Sequence, residues 1–258
     1  MTDSLVLGLF ALAVFARLVA VNRRLQRTSE ADRAKLELLH AAAETQQFET
    51  TQPRPERPQD RSLEVLEETI AGWTRDAATR CKRVTAFSIA LGWAMGMSDA
   101  EIKIIARGAY LRDVGKKEIA DNILRKSGPL TDDEMATIEE HCYLGYKMLS
   151  RIPDQTQAAE IVFAHHERYD GLGYPRGLKA KRIPIGARLI AVAEALDSMI
   201  FIHPARQNDI LQAAREEIEM LAWLRFDPDV VSVFLEMPGH LWMDLIEEIE
   251  RQGDEFLQ

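Results

Sequence analysis

An all-α domain is what the sequence predicts, and three observations carry that prediction. From Leu63 onward the apolar residues recur at helical spacing almost everywhere. Two helix starts carry capping boxes, Ser98 with Glu101 and Thr131 with Glu134. No alternating run of useful strand length is present, and no internal repeat.

Taken in order, residues 1–27 read as a membrane anchor with a basic flank. Leu5 to Val21 is nearly all apolar, broken only by Arg17, and Asn22, Arg23, Arg24 and Arg27 follow. That run suits one spanning helix in which Arg17 snorkels to the interface. Asp3 before it and the arginines after it place the rest of the chain in the cytoplasm by the positive-inside rule, so the expected location is single-pass in the inner (cytoplasmic) membrane. A soluble or amphipathic helix is the alternative. Residues 28–62 read as a stalk helix followed by a flexible linker, polar and carrying Pro53, Pro55 and Pro58. The folded domain is expected over 63–258, and the chain of 258 residues leaves ample length for one core.

The net charge of −9, with Lys and Arg scattered among the acids, excludes a nucleic-acid polymer as partner while admitting a small anionic ligand in a locally positive pocket. Cys81 and Cys142 are too few for a disulfide framework and read as reduced thiols. Trp93, Trp223 and Trp242 read as core or interface aromatics.

Polar residues on apolar helix faces carry the chemistry. Ile102, Ile105, Ala106 and Ala109 lead along one face to Asp113; Met135 and Ile138 lead to His141, with Gly145 and Leu149 beyond. Ile161 and Val162 lead to His165 and His166, and Leu189, Ala193 and Leu196 lead to Asp197. A buried charge or imidazole must find a partner or carry a desolvation cost of several kcal/mol. One inward histidine is ordinarily a hydrogen-bonded core residue, but three imidazoles and two carboxylates together suit a divalent ion held in a helical bundle. The stretch Arg168 to Pro184, with Gly171, Gly173, Pro175 and Gly177, is a long loop of the kind that is functional or disordered.

The segment His165-His166-Glu167-Arg168-Tyr169-Asp170-Gly171-Leu172-Gly173-Tyr174-Pro175 resembles the HHExxDGxGYP signature of the HD-GYP phosphodiesterases. Tyr110-Leu111-Arg112-Asp113-Val114-Gly115-Lys116 is similar to the LLHDIGK segment of the HD superfamily, and Gly128 to His141 and Ile183 to Asp197 also fit. The resemblance covers Leu63 to Leu235, some two thirds of the chain. It implies an HD-superfamily helical bundle whose two or three metal ions (Fe, Mn or Zn) serve the hydrolysis of cyclic di-GMP to pGpG or GMP. Asp113, His141, His165, His166 and Asp197 would be the ligands, Asp113 bridging two metals. Asp113 and Lys116 would be the catalytic pair. Lys116, Gly173, Tyr174, Pro175 and Arg206 would meet the nucleotide, with His203-Pro204-Ala205-Arg206 standing where the family has RPYR.

Two family histidines are replaced. Arg112 stands at the histidine of the HD doublet and Arg80 at the first helix histidine. Guanidinium offers no lone pair and stays protonated. Two unit charges about 4 Å apart repel by roughly 4 kcal/mol at an effective dielectric near 20, and a dication doubles that, so these arginines exclude a metal from one site. Three occupancies stay open: one ion on Asp113 and the three histidines, which is preferred; none, with Arg80 and Arg112 paired to Asp113 and Asp197; or a dinuclear centre. Cys142, where the family often has proline, reads as an inert small residue. The expected function is a degenerate signalling module binding cyclic di-GMP, a related dinucleotide or a protein partner, and compatible with a homodimer. The alternative is a working phosphodiesterase with one metal site altered.

Overall fold

The computed structural model describes residues 58–71, 73–202 and 207–255. The expected anchor, the stalk, most of the linker and Arg206 lie outside the described residues. Among the described residues no helix is long and apolar enough to cross a membrane.

Eleven α-helices are described: α1 (Pro58–Ala71), α2 (Arg75–Ala94), α3 (Asp99–Leu111), α4 (Asp121–Leu124), α5 (Asp132–Glu139), α6 (His141–Leu149), α7 (Thr156–Ala164), α8 (Ile185–Ile202), α9 (Gln207–Met220), α10 (Pro228–Glu236) and α11 (Gly239–Glu255). Short 3₁₀ turns at Val114–Glu118 and Ala180–Arg182 complete them. The only β feature among the described residues is an isolated bridge between Ala222 and Phe226. The compact unit begins at Ser62, and α1 starts at Pro58, so the helix opens inside the stretch expected to be linker. Proline is well placed there, because the first helical turn needs no amide donor.

Local chemistry sets the boundaries. Ser98 and Thr131 each accept from the amide three residues on while Glu101 and Glu134 reach back, forming both expected capping boxes. Thr74 caps α2, and Asp227 with Pro228 at the first turn starts α10. One expectation fails here. α5 ends at Glu139 and buries none of its residues, so Met135 is 46% exposed and His141 opens a new helix instead of continuing the α5 face.

α2 packs against α3, α8 and α11, α3 against α7, and α6 against α7 and the 3₁₀ turn after Asp113. α8 buries Leu189, Ile190, Val192, Ala193 and Leu196 around most of its circumference, as a helix enclosed by others must. Trp242 is fully buried, its ring edge-on to Phe87 at 5.4 Å, while Trp223 is 69% exposed at φ 70° and is not a core aromatic. Cys81 and Cys142 are both free and buried.

Gly115 fixes how close the 3₁₀ turn comes to α6. A Cβ there would lie 2.1 Å from the His141 carbonyl oxygen and 2.6 Å from the Gly145 nitrogen. Only glycine permits that approach, and it is what brings Asp113 beside His141.

Candidate metal centre

Two elements deliver the histidines. His141 begins α6, His165 is the residue that ends α7, and His166 follows it. Their rings meet at centroid separations of 5.2, 5.2 and 4.1 Å. His141 Nδ1 donates to the Ile138 carbonyl and His165 Nδ1 to the Val162 carbonyl, each at 2.7 Å. These bonds fix the tautomers, so both Nε2 atoms carry lone pairs, and the two face each other at 3.3 Å. A cation between them would satisfy both lone pairs, so the donor set fits a metal ion.

Burial holds the imidazoles neutral. It pushes His141 below its ordinary value against the pull of Asp113, and lowers His165 strongly with help from its two neighbours. His166 falls to about 4, chiefly through burial. Unfolded, each returns to about 6.5. Since the folded values lie below the unfolded ones, the unfolded chain binds more protons between about pH 6.5 and 4, and stability that is complete above that window is lost on descending through it. The Tm of chelator-treated protein is therefore expected to fall on acidification from pH 7 to 5; a flat profile would contradict neutral buried imidazoles.

Asp113 lies beside this cluster, with Oδ1 at 3.6 Å from His141 Nε2. Lys116 Nζ meets the same oxygen at 2.6 Å, and Arg112 Nη2 lies 3.5 Å from Oδ2. Burial works to raise the Asp113 carboxyl, but Arg112 and Lys116 overcome it and hold it well below the usual carboxylate range.

Arg112 is a fully buried guanidinium. Its Nε donates to Glu194 Oε1 at 2.7 Å and its Nη1 to the Ala109 carbonyl at 2.9 Å. Burial alone would lower its pKa, yet Asp113, Cys81 and Glu194 keep it protonated. A permanent cation thus occupies the ground between two carboxylates. Glu194 is a site residue missed in the sequence; it lies one helical turn before Asp197 on α8, inside the apolar run Ala193-Glu194-Ala195, and that interruption was the available signal.

Asp197 does not join the histidines. Its carboxylate accepts from Arg83 Nε at 2.6 Å, and Arg80 Nε lies 3.4 Å away while Arg80 also donates to Ser198. The expected ligand is therefore an ion-pair partner in this structure. Arg83, not singled out in the sequence, reaches deeper than Arg80 because it is 8% exposed against 47%, and its guanidinium stacks on Phe201 at 3.5 Å. Cys142 is the other departure. Its sulfur belongs with His141, His165 and His166 to a set of four donor atoms mutually within 4.8 Å, a set that includes neither Asp113 nor Asp197.

The Arg168 to Pro184 loop is ordered by the buried Glu167, whose carboxylate accepts the amides of Arg176 at 2.8 Å and Leu178 at 2.9 Å. Gly173 has no space for a side chain, a Cβ there lying 2.3 Å from the Arg168 nitrogen, and Gly171 sits at φ 86°. Tyr174 is thereby set against the His166 ring at 4.9 Å between centroids, at the rim of the histidine cluster. Glu167→Ala leaves two inward amides unpaired, a cost of about 1–3 kcal/mol each. Hydrogen exchange at Arg176 and Leu178 should accelerate at least tenfold in that variant, and unchanged exchange would show the loop is held elsewhere.

The helical fold thus gathers three histidines and an adjoining carboxylate at one place. The HD domain family model matches residues 64–230, and the chain belongs to that family, as an HD-GYP member in which Arg112 replaces the histidine of the HD doublet. It is similar to a cyclic di-GMP phosphodiesterase of Thermotoga maritima (39% identity over 62% of this chain and 43% of that one). It is also similar to the cyclic di-GMP phosphodiesterase response regulator RpfG of Xanthomonas campestris pv. campestris (38% identity, 55% and 38%). A 3'3'-cGAMP-specific phosphodiesterase 2 of Vibrio cholerae shares 31% identity over 66% of this chain and 33% of its own length. The chain thus spans about two fifths or less of the curated relatives it matches in most of these pairings. Among solved structures, the cyclic GMP-AMP specific phosphodiesterase V-cGAP3 of V. cholerae superposes with a TM-score of 0.53 at 18% identity, over 73% of this chain and 51% of that one, a likeness of fold.

Proposed function

We propose that this chain is a degenerate HD-GYP domain of cyclic-dinucleotide signalling, one that binds cyclic di-GMP or a related dinucleotide and hydrolyses it weakly or not at all. The observation that carries this reading is the buried Arg112 guanidinium, paired with Glu194 and with Asp113, the carboxylate that a second metal would need. A bound divalent ion would supply charge neutralisation at phosphorus and a more acidic water. With one cation position given to arginine, the site keeps an anion-binding character but loses half of that chemistry.

In this reading Lys116 meets a phosphate, exchanging Asp113 for the ligand, and its partly exposed ammonium allows that exchange. The Gly173, Tyr174 and Pro175 turn lines the base pocket, and Arg206 supplies a second phosphate contact. His141, His165 and His166 would hold one ion, Zn or Fe(II) by donor type. In this reading the apolar run Leu5 to Val21 with its trailing arginines serves as the anchor that would hold the domain at the cytoplasmic face of a membrane, within reach of a partner protein. Calorimetry of the full chain with cyclic di-GMP tests the reading. Micromolar binding without turnover supports it, and absence of binding by the folded protein overturns it.

The converging Nε2 atoms favour a second reading, an active phosphodiesterase working with one metal and with Arg112 and Arg80 as fixed positive charges. Turnover at enzymatic rates that disappears in His165→Ala and His166→Ala would select it.

A further inference from the structure

Cys142 reads from the sequence as inert, yet the structure buries it completely against two of the histidines. Its Sγ lies 3.6 Å from His141 Nε2 and 4.0 Å from His165 Nδ1, and the two Nε2 atoms are 3.3 Å apart. An ion bound tetrahedrally with bonds of about 2.0–2.1 Å to nitrogen and about 2.3 Å to sulfur makes N···N edges of about 3.3–3.4 Å and N···S edges of about 3.5–3.6 Å. The His141–His165 Nε2 pair at 3.3 Å and the His141 Nε2–Cys142 Sγ pair at 3.6 Å match two of these edges. The widest spacing in the four-donor set, within 4.8 Å, needs to close by roughly an ångström, a rotamer-scale adjustment. Asp113 is the worse fourth donor: its Oδ1 already faces Lys116 at 2.6 Å and its Oδ2 faces Arg112 at 3.5 Å, whereas the thiol faces an imidazole nitrogen, His141 Nε2 at 3.6 Å.

We propose that Cys142, as a thiolate, is a protein ligand of the metal ion and completes a three-histidine, one-cysteine site with His141, His165 and His166. This rests on the reading that the histidine cluster holds a metal. On binding, the thiol proton passes to solvent and one metal–sulfur bond forms, with no change of oxidation state. Sulfur makes the set softer and favours zinc over manganese. It also fills the fourth position that catalytic zinc sites leave open, so the centre is of the closed, structural kind.

The test is zinc X-ray absorption on the zinc-loaded full chain, with cobalt(II) substitution in parallel. One sulfur scatterer at about 2.3 Å is expected, together with a thiolate-to-cobalt charge-transfer band in the near ultraviolet that Cys142→Ser abolishes. Cys142→Ser should also weaken zinc binding by more than the roughly 10–100-fold that loss of an outer partner costs. The absorption measurement on the unaltered chain needs no variant, so misfolding of Cys142→Ser would not rescue the idea. Zinc bound through nitrogen and oxygen alone, or no bound zinc, overturns it. Cyclic di-GMP calorimetry on the same sample separates the two readings: sulfur ligation without nucleotide binding sinks only the nucleotide function, and the reverse result sinks only the cysteine.

Discussion

Arg112→Ala should destabilise the domain by about 3–5 kcal/mol, because it removes a fully buried cation from between the buried Asp113 and the part-buried Glu194 carboxylates without removing them. For a domain of this size each kcal/mol moves Tm by roughly 2–4 °C, so a fall of about 6–20 °C is expected in chelating buffer. Glu194 carries most of the penalty, since Asp113 keeps Lys116 at 2.6 Å while Glu194 loses the 2.7 Å bond to Arg112. Adding Glu194→Gln to Arg112→Ala should recover more than half of the loss, and a double-mutant cycle would report the coupling directly. A single variant within about 2 °C of the parent would mean that Arg112 is not a structural cation.

Gly115→Ala should cost about 3 kcal/mol or more, at or beyond the upper end of ordinary overpacking. The new Cβ meets the His141 carbonyl and Gly145 amide, backbone atoms of α6 that cannot swing aside as a flexible side chain would. The turn carrying Asp113 and Lys116 must retreat from α6, so zinc affinity and nucleotide binding should fall together with stability. Gly128→Ala is the control, because a Cβ there meets nothing within 4 Å. Urea unfolding of both variants checks the pair, and equal midpoints would contradict the close approach.

The helical architecture was legible because amphipathic spacing and caps are local properties, and Ser98 and Thr131 behave as their sequences require. The convergence of His141, His165 and His166 was legible for a related reason: imidazoles on apolar faces must share an interior. What escaped depended on reach across helices. Asp197 shares α8 with Glu194, and only the packing of α2 and α3 against α8 shows that Arg83 takes the first while Arg112 takes the second. Met135 was misplaced because spacing alone does not reveal that α5 stops at Glu139 and leaves its whole length unburied. Cys142 looked inert since a small apolar residue and a potential ligand are indistinguishable until the sulfur is seen 3.6 Å from an imidazole nitrogen.

The central claim is that guanidinium groups have replaced one metal of the centre and left a single ion among the histidines. Metal content and cyclic di-GMP turnover measured on one sample of the full chain, expressed with iron, manganese or zinc, test it most directly. One ion per chain, with turnover far below the roughly 1–1000 s⁻¹ usual for enzymes, is the expected outcome. Two ions per chain with turnover in that range would contradict it.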